Sequence, residues 1–378
     1  MSLRRFLYLV ADDCVERGYS LRRIDMSRFF FKAPSEGTPT PLDSSGGAGA
    51  TDPLATEDSG SLPDPVLSFR AAQDLDQGSA SINFVLFDKK GRDGENLKVV
   101  TIGHTGRTLM CDPSLPPSFL PLPMEATHRC APFSLTVGSS LYVMDAVPKL
   151  SHNGSEWHYS FEILSYGHCF SHLYKSWYWQ SLPLPPNLYG RGDLADCIES
   201  YAVVDGTDIL LSNRAKHTCR FDTVKGTWRK AGDWAMPFRR LAEYVPEHKR
   251  WFGISAKGND GHSCFLAADL MHTSDSHEMT SPPVVWGSWE EYVQPPPEWS
   301  LAESHAVHLG SSKFCIVRFF HVGELCVCPM THRTVMVEEE LQVLLTGVEV
   351  ESCGEKLQVV KHKSERYKLD IKSDYWLL

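Results

Sequence analysis

The chain has 378 residues, of which 42% are hydrophobic and 22% are charged, and its formal net charge is −10. This length and composition suit a globular protein with a substantial core, and one large all-β domain can reach this size. The negative charge argues against a general electrostatic grip on nucleic acid or acidic lipid. We therefore expect neither a nucleic-acid partner nor a membrane partner.

The N-terminal sequence MSLRRFLYLV joins two arginines to an apolar run at residues 6–10. The run is too short for the apolar region of a signal peptide or for a transmembrane span, so it predicts a buried strand. The eleven cysteines are an odd number without a regular framework, which favours reduced thiols. We expect an intracellular protein, cytoplasmic or nuclear, without a signal peptide or a transmembrane segment.

Residues 6–10 and 19–24 predict a hairpin, and the composition then changes abruptly. Residues 33–65 hold six acidic residues, six prolines, five glycines and five serines, with no basic or aromatic residue. Such a segment cannot bury enough apolar surface to offset the entropy that it would lose on ordering. It is predicted to be a disordered acidic insert.

The β pattern resumes at Ile82 and continues as five units of short β-rich runs. The clearest unit predicts strands at 201–204, 209–212 and 218–221, and a fourth strand that opens at Trp228. Short runs separated by Asp-Gly and other glycine-containing turns are typical of antiparallel hairpins. Four such strands in a row make a meander of the size of one propeller blade.

The last turn of this unit lies in the sequence FDTVKGTW, which holds Asp222 and Gly226. Both are predicted turn formers, because an Asx side chain can bond to the backbone ahead of it and glycine accepts a positive φ. This sequence resembles the turn between the third and fourth strands of kelch-type blades.

The first three units share an ending in which a bulky aromatic residue precedes Pro or Leu-Pro: Phe119, Trp179 and Trp228. Their spacings of 60 and 49 residues lie in the range of kelch-like blades. Trp289, 61 residues further on, is a candidate for a fourth. We predict that Trp179 and Trp228 belong to the blade core, since an aromatic residue repeated at one blade position packs the same interface each time. Binding residues are the alternative.

The blocks RRFLYLV, YAVVDGT, FDTVKGTWRKAGDWAMPF, AEYVPEHKRWFGISA, LTGVEV and LQVVKHKSE together resemble a plant family that is expanded in grasses. Its members carry a domain of unknown function similar to kelch and F-box-associated propellers, and the family has no agreed activity. The likeness covers nearly the whole chain except residues 33–65. It implies a propeller fold. The chain departs from kelch repeats in lacking paired glycines after the second strand, and it has no leucine-rich F-box-like segment.

We therefore predict an all-β fold, a single β-propeller of kelch-like four-stranded blades with six blades. Residues 1–32 form a hairpin that completes the propeller by joining strands at the end of the chain or near Ile82. Residues 33–65 are the insert and residues 66–378 the propeller body. We expect a monomer.

A zinc site is one chemical hypothesis that the sequence raises, on His321, Cys326, Cys328 and His332. Structural zinc sites generally use Cys-x2-4-Cys pairs on tight turns, whereas a Cys-x-Cys pair in a strand is less apt. We predict no metal. No sequence pattern of a hydrolase, a metalloprotease or a nucleotide-binding loop is present, so we predict no catalytic residues and no cofactor.

The longest aromatic loops of the body are predicted at residues 149–158 and 167–179. Aromatic side chains in propeller loops suit protein recognition. The predicted contacts of a protein partner are His152, Trp157, His158 and Trp177. The alternative is that these residues cap the ends of blades.

The function predicted from the sequence is a non-enzymatic protein-interaction module, with a propeller scaffold and an unknown partner. One alternative is an F-box-less receptor or decoy in ubiquitin-dependent turnover, which rests on fold analogy. The other is an enzyme with a site in the propeller channel.

Overall fold

The computed structural model describes residues 4–13, 18–30, 40–42, 57–70, 82–88, 97–103, 106–123, 131–147, 149–150, 157–158, 160–168, 174–186, 196–255, 263–270, 282–289, 299–327, 334–354, 356–369 and 374–378. Over these residues the regular structure is strand, apart from one short 3-10 helix. The predicted all-β class is confirmed. Of the helices in the described ranges, none is long and apolar enough to cross a membrane.

The first half of the chain contains β1 (Phe6–Asp13), β2 (Gly18–Asp25), the 3-10 helix η1 (Met26–Phe29), β3 (Thr40–Leu42), β4 (Glu57–Ser61), β5 (Pro65–Arg70), β6 (Ile82–Asp88), β7 (Leu97–Gly103), β8 (Thr108–Cys111), β9 (Phe119–Leu122), β10 (Pro132–Val137), β11 (Ser140–Asp145), β12 (Lys149–Leu150), β13 (Trp157–His158), β14 (Phe161–His168) and β15 (Lys175–Ser181). The second half contains β16 (Ile198–Val204), β17 (Asp208–Asn213), β18 (Thr218–Asp222), β19 (Thr227–Gly232), β20 (Phe238–Val245), β21 (Arg250–Ser255), β22 (Phe265–Asp269), β23 (Val284–Trp289), β24 (Trp299–Gly310), β25 (Lys313–Val327), β26 (Thr334–Cys353), β27 (Lys356–Leu369) and β28 (Tyr375–Leu377).

The chain forms two compact units. The first unit comprises Met1–Phe69, Val245–Ala268 and Val285–Leu377. The second unit comprises Arg70–Tyr244 and Asp269–Val284, with Leu378.

One sheet of the first unit has the strand order β28-β1-β2-β5. Strands β1 and β2 form an antiparallel hairpin, and the other edge of β1 pairs with β28, where Leu9 lies opposite Leu377 and Ala11 opposite Tyr375. The N-terminal hairpin thus joins a strand at the end of the chain. The completion of a propeller by this hairpin, the division of the chain at residues 32 and 65 and the number of blades stay predictions.

The second large sheet of the first unit is the antiparallel run β24-β25-β26-β27. Alternating apolar residues of its strands bury one set of side chains with the hairpin and η1, as expected for a sheet with one core face. This cluster includes Leu7, Leu9, Phe29, Val317, Val343 and Tyr367. A second cluster joins the sheet to β21 and β22 and includes Phe252, Phe265, Phe314 and Val348.

Two segments of the predicted insert are strands, which corrects the prediction of disorder at those residues. Thr40–Leu42 pairs antiparallel with β27, and Glu57–Ser61 pairs parallel with the same strand. The physical reason is that a strand added to a sheet edge is held by its backbone, so it needs no apolar pattern of its own. Leu62 follows β4 and packs against the core of the first unit.

The second unit contains antiparallel four-stranded runs in the orders β6-β7-β8-β9, β10-β11-β14-β15 and β19-β18-β17-β16, with β20 parallel to β16. The strands predicted at 201–204, 209–212 and 218–221 are confirmed as parts of β16, β17 and β18. Each run buries apolar residues between its strands and those of a neighbour within the unit.

The repeated aromatic residues lie in the last strand of their runs: Phe119 in β9, Trp179 in β15 and Trp228 in β19. Their environments differ. Phe119 is 41% exposed, because β9 turns Leu122 rather than Phe119 towards the core. Trp289 lies in β23 of the first unit and is 1% exposed.

Candidate interaction surface

The predicted contact Trp177 is fixed on β15 between a core residue and a surface residue. It lies opposite Tyr166 in the β14–β15 ladder, with ring centroids 5.4 Å apart. Its ring and that of Phe87 are T-shaped, with centroids 5.9 Å apart, and the indole packs against the apolar cluster that includes residues of β6, β7 and β11. Trp177 is therefore a half-buried ring held by the core rather than a mobile loop side chain.

Two tyrosines beside Trp177 are exposed. Tyr166 is 58% exposed and Tyr174, which directly precedes β15, is 83% exposed. Within the described part of the chain β15 is the last strand of its sheet: one edge of its backbone pairs with β14, and no described strand lies on the other, open edge. We call Tyr166, Tyr174, Trp177 and this open edge the β15 surface.

The other predicted contacts lie on the connection between β11 and β14. Trp157 and His158 form β13, which pairs with β12 so that Lys149 lies opposite His158 and Leu150 opposite Trp157. The connection is thus a two-stranded ribbon that leads into β14. His152 and the side chains of Trp157 and His158 lie outside what the structure describes.

Trp179 and Trp228 both face apolar clusters of the second unit. Trp179 packs against the same cluster as Trp177. Trp228 is half-buried, its ring centroid lies 4.8 Å from Phe221 and 5.5 Å from Phe161, and its Nε1 donates to the carbonyl oxygen of Pro183 at 2.6 Å. The indole of Trp228 thus ties β19 to the segment that follows β15.

The turn between β18 and β19 is built by Asp222 and Gly226. The Asp222 Oδ1 accepts hydrogen bonds from the backbone N–H groups of Val224 and Lys225 at 3.0 and 2.9 Å. The hydrogen bonds from Lys225 hold the pKa of Asp222 below its usual value. Gly226 has a φ of 66° and its N–H donates to the Asp222 carbonyl oxygen at 2.8 Å, which is a conformation that glycine adopts without strain.

An ion cluster around the buried Arg220 lies next to this turn and was not predicted. Arg220 donates to Asp208 through Nε and to Asp205 through Nη2, with both distances 2.5 Å. Desolvation lowers the pKa of Arg220, but hydrogen bonds from the guanidinium to Asp208 and Asp205 outweigh it and raise the pKa. The sequence did contain a signal for this cluster: a basic residue in β18 and acidic residues in the turn and strand that precede it. The cluster is fully paired, so its role is structural.

The first unit contains a polar cleft of about 660 Å³ that the sequence did not reveal. Its charged lining consists of Asp12, Arg22, Glu340, Arg366 and Lys368. Lys368 forms an ion pair with Glu340, and its hydrogen bond to that carboxylate holds the pKa of Glu340 below its usual value. The guanidinium of Arg366 lies 5.5 Å from the centroid of the Trp299 ring, which also lines the cleft. These residues are distant in sequence, and only the strand pairing brings them together.

The zinc hypothesis falls largely outside the described residues. His321 lies in β25, whereas Cys328, His332 and the side chain of Cys326 are not described. In the part that is described, no group of three or more His, Cys, Asp or Glu side chains is arranged to hold a metal ion.

Comparisons with known proteins give a family and distant structural likenesses. The WD40 domain of SCAP from fission yeast is 9% identical, with a TM-score of 0.33 over 82% of this chain and 70% of that one. The Cps50 (Swd1) β-propeller domain of Myceliophteria thermophila is 10% identical, with a TM-score of 0.32 over 74% and 99% of the two chains. YCF48 from Cyanidioschyzon merolae is 10% identical, with a TM-score of 0.32 over 78% and 90%. At such scores these proteins say nothing about what this chain binds.

No curated protein matches the chain. A family model does match it, over residues 4–367. This range includes every strand from β1 to β26 and most of β27. The chain therefore belongs to the family described as "Protein of unknown function (DUF1668)".

Proposed function

We propose that this protein is a non-enzymatic protein-interaction module and that the β15 surface binds its protein partner. The observation that carries the proposal is the exposure of Tyr166 and Tyr174, 58% and 83%, beside a Trp177 ring that the core holds in place. Tyrosine and tryptophan are enriched where binding energy concentrates, because their rings bury a large area and keep a polar end.

The support beneath these residues favours tight binding. Trp177 is held by Phe87 and Tyr166, so it loses little side-chain freedom when a partner covers it. The open edge of β15 adds backbone groups that can pair with an extended segment of the partner. Aromatic contacts and backbone pairing would then act on one strand.

The finer parts of the proposal come from the sequence. His152, Trp157 and His158 would contribute contacts from the connection that leads from β11 into β14, the strand that pairs with β15. The protein would act inside a plant cell as a kelch-like propeller, without a cofactor. If the protein is instead an F-box-less receptor or decoy, ubiquitin-ligase subunits should be among the proteins that it captures from cell extract.

Quantitative affinity capture from plant cell extract tests the proposal. The bait is the full chain, compared with the double variant Tyr166→Ser/Tyr174→Ser. Val224→Ser is the matched control, because Val224 is 82% exposed in the same unit but lies in the β18–β19 turn. We expect the wild type and the control to capture one or more proteins in equal amounts. The double variant should capture about 30-fold less of them. Equal capture by all three baits would reject the β15 surface as the site.

A further inference from the structure

The outer edge of β27 accepts added strands in two directions. One edge of β27 pairs with β26. The other edge carries Thr40–Leu42 antiparallel and Glu57–Ser61 parallel, both from the acidic segment 33–65. A strand that accepts neighbours of both directions is recognised through its backbone and does not depend on one particular side-chain pattern.

The charges of the two partners are complementary. Between Lys356 and Leu369 the sequence KLQVVKHKSERYKL holds five Lys or Arg residues and one acidic residue, Glu365. Glu365 is buried, accepts a hydrogen bond from the Tyr367 hydroxyl at 2.7 Å and pairs with Arg28. The segment 33–65, by contrast, has six acidic residues and no basic residue. Opposite charge on the edge and on the added segment favours their association.

Two of the basic residues of this edge, Arg366 and Lys368, line the cleft. Tyr367 and Leu369 are buried in the core of the first unit, so Arg366 and Lys368, which alternate with them, lie on the opposite face and line the cleft. Ser61 of the added strand and its neighbour Leu62 also line the cleft. Arg366 and Lys368 thus lie where an acidic segment on this edge can reach them.

The chain's own segment is held irregularly. The pairing of β4 with β27 covers a few residues and changes register between Arg366 and Tyr367. Gly60 lies at this shift with a φ of 74°, a left-handed conformation that other residues adopt only with strain. A short, interrupted ladder of this kind is suited to exchange with another strand.

We propose that the outer edge of β27 is a docking site for an extended acidic segment of a protein partner. The chain's own Glu57–Ser61 occupies the site until the partner displaces it. This site lies in the first unit and does not depend on the β15 surface of the second unit, so each proposal can fail alone.

Fluorescence anisotropy with the full chain tests this proposal. The probe is a labelled synthetic peptide, TEDSGSL, which copies residues 56–62 and stands in for the acidic partner. Gly60→Val strains the chain's own strand and opens the edge. Gly138→Val is the matched control, because Gly138 has a φ of 60° and, like Gly60, no neighbouring atom within 4 Å of an added Cβ, but lies in the turn between β10 and β11.

If the chain's own strand fills nine-tenths of the sites, opening the edge should raise the peptide's affinity about 10-fold. We expect this gain for Gly60→Val and no gain for Gly138→Val. A peptide with Gln and Asn in place of its Glu and Asp should bind several-fold more weakly, and added salt should narrow that difference. Equal affinity of Gly60→Val and the wild type would overturn self-occupancy. Equal binding of the acidic and neutral peptides would overturn the acidic partner.

A covalent lock makes the test independent of the folding of Gly60→Val. Ser61 and Lys368 are Cα partners in the ladder, close enough for a disulfide between neighbouring strands. In Ser61→Cys/Lys368→Cys, oxidation should abolish peptide binding, and reduction should restore it to the level of the single variant Lys368→Cys, which lacks the same basic side chain. Undiminished binding to the oxidised variant would place the peptide elsewhere.

Discussion

Arg220 and Asp208 form an ion pair in which both residues are 7% exposed, with Nε 2.5 Å from Oδ2. The pair joins β18 to β17. Removing the Arg220 guanidinium would leave the carboxylates of Asp208 and Asp205 without the cation between them, and the carboxylate of Asp208 is buried. The loss of one partner of a buried pair is costly for that reason.

We expect Arg220→Ala to lower the free energy of unfolding by about 3–5 kcal/mol. Arg214→Ala is the control, because Arg214 pairs with Glu199 at 2.9 Å on the surface, where such a pair contributes about 1 kcal/mol or less. Urea denaturation measures both. A loss for Arg220→Ala as small as that for Arg214→Ala would contradict the structural role of the cluster.

Trp228 makes two separable contributions to stability. Trp228→Ala removes the ring contacts with Phe221 and Phe161, and since the ring is half-buried we expect a loss at the lower end of the ~3–5 kcal/mol of a core aromatic residue. Trp228→Phe keeps most of the ring packing but removes the hydrogen bond to Pro183, which should cost about 1 kcal/mol. Thermal unfolding followed by tryptophan-independent far-UV circular dichroism reports both. Unchanged melting of Trp228→Ala would show that the residue is not structural.

Asp25 gives the protein an acid-dependent contribution to stability. It caps η1 by accepting from Ser27 and pairs with Arg5 at 2.7 Å. Partial burial raises its pKa, but the hydrogen bonds from Arg5 and Ser27 outweigh burial and lower the pKa from 3.8 to about 2. The folded state therefore binds its proton less readily than the unfolded state. The contribution is fully present above pH 4 and is lost as the pH falls towards 2.

Asp25→Asn removes this titration and isolates its effect. We expect the wild type to melt at a higher temperature than Asp25→Asn at pH 7, and the difference to shrink between pH 4 and pH 2. Melting curves over this range measure the difference. A gap that stays constant down to pH 2 would contradict the assignment of the pKa shift to Asp25.

The described cysteines should differ widely in reactivity. Burial raises the pKa of Cys111 and of Cys219 to about 11, so little thiolate forms at neutral pH. Cys353 is exposed in the turn between β26 and β27. Brief treatment with iodoacetamide at pH 7.5, read by peptide mass spectrometry, should modify Cys353 well before Cys111 or Cys219. Equal labelling in the native protein, with denatured protein as reference, would contradict the burial of those two thiols.

Local patterns predicted the strands of the second unit well, because their turns carry their own signals. The Asp222–Gly226 turn is one example, since its hydrogen bonds join residues that are at most four positions apart. The strands β3 and β4 could not be predicted in this way. Their pairing with β27 uses the backbone and spans about 300 residues of sequence, so composition alone predicted disorder there.

The candidate surface was predicted only in part for a related reason. The aromatic residues around β15 mark the region, but a sequence does not say which ring an alternating strand turns towards the core. Trp177 and Trp179 face the apolar cluster, whereas Tyr166 and Tyr174 are exposed. The cleft beside Arg366 had no local signal, because its walls come from strands at both ends of the chain.

Hydrogen–deuterium exchange on the complex with a captured partner shows whether the partner covers β15. The backbone N–H groups on the open edge of Lys175–Ser181 should exchange readily in the protein alone and at least about 10-fold more slowly with saturating partner, because binding covers that edge. The β18–β19 turn around Val224 should exchange at the same rate in both samples. Exchange at Lys175–Ser181 that is unchanged by a partner bound at saturation would show that the partner binds elsewhere.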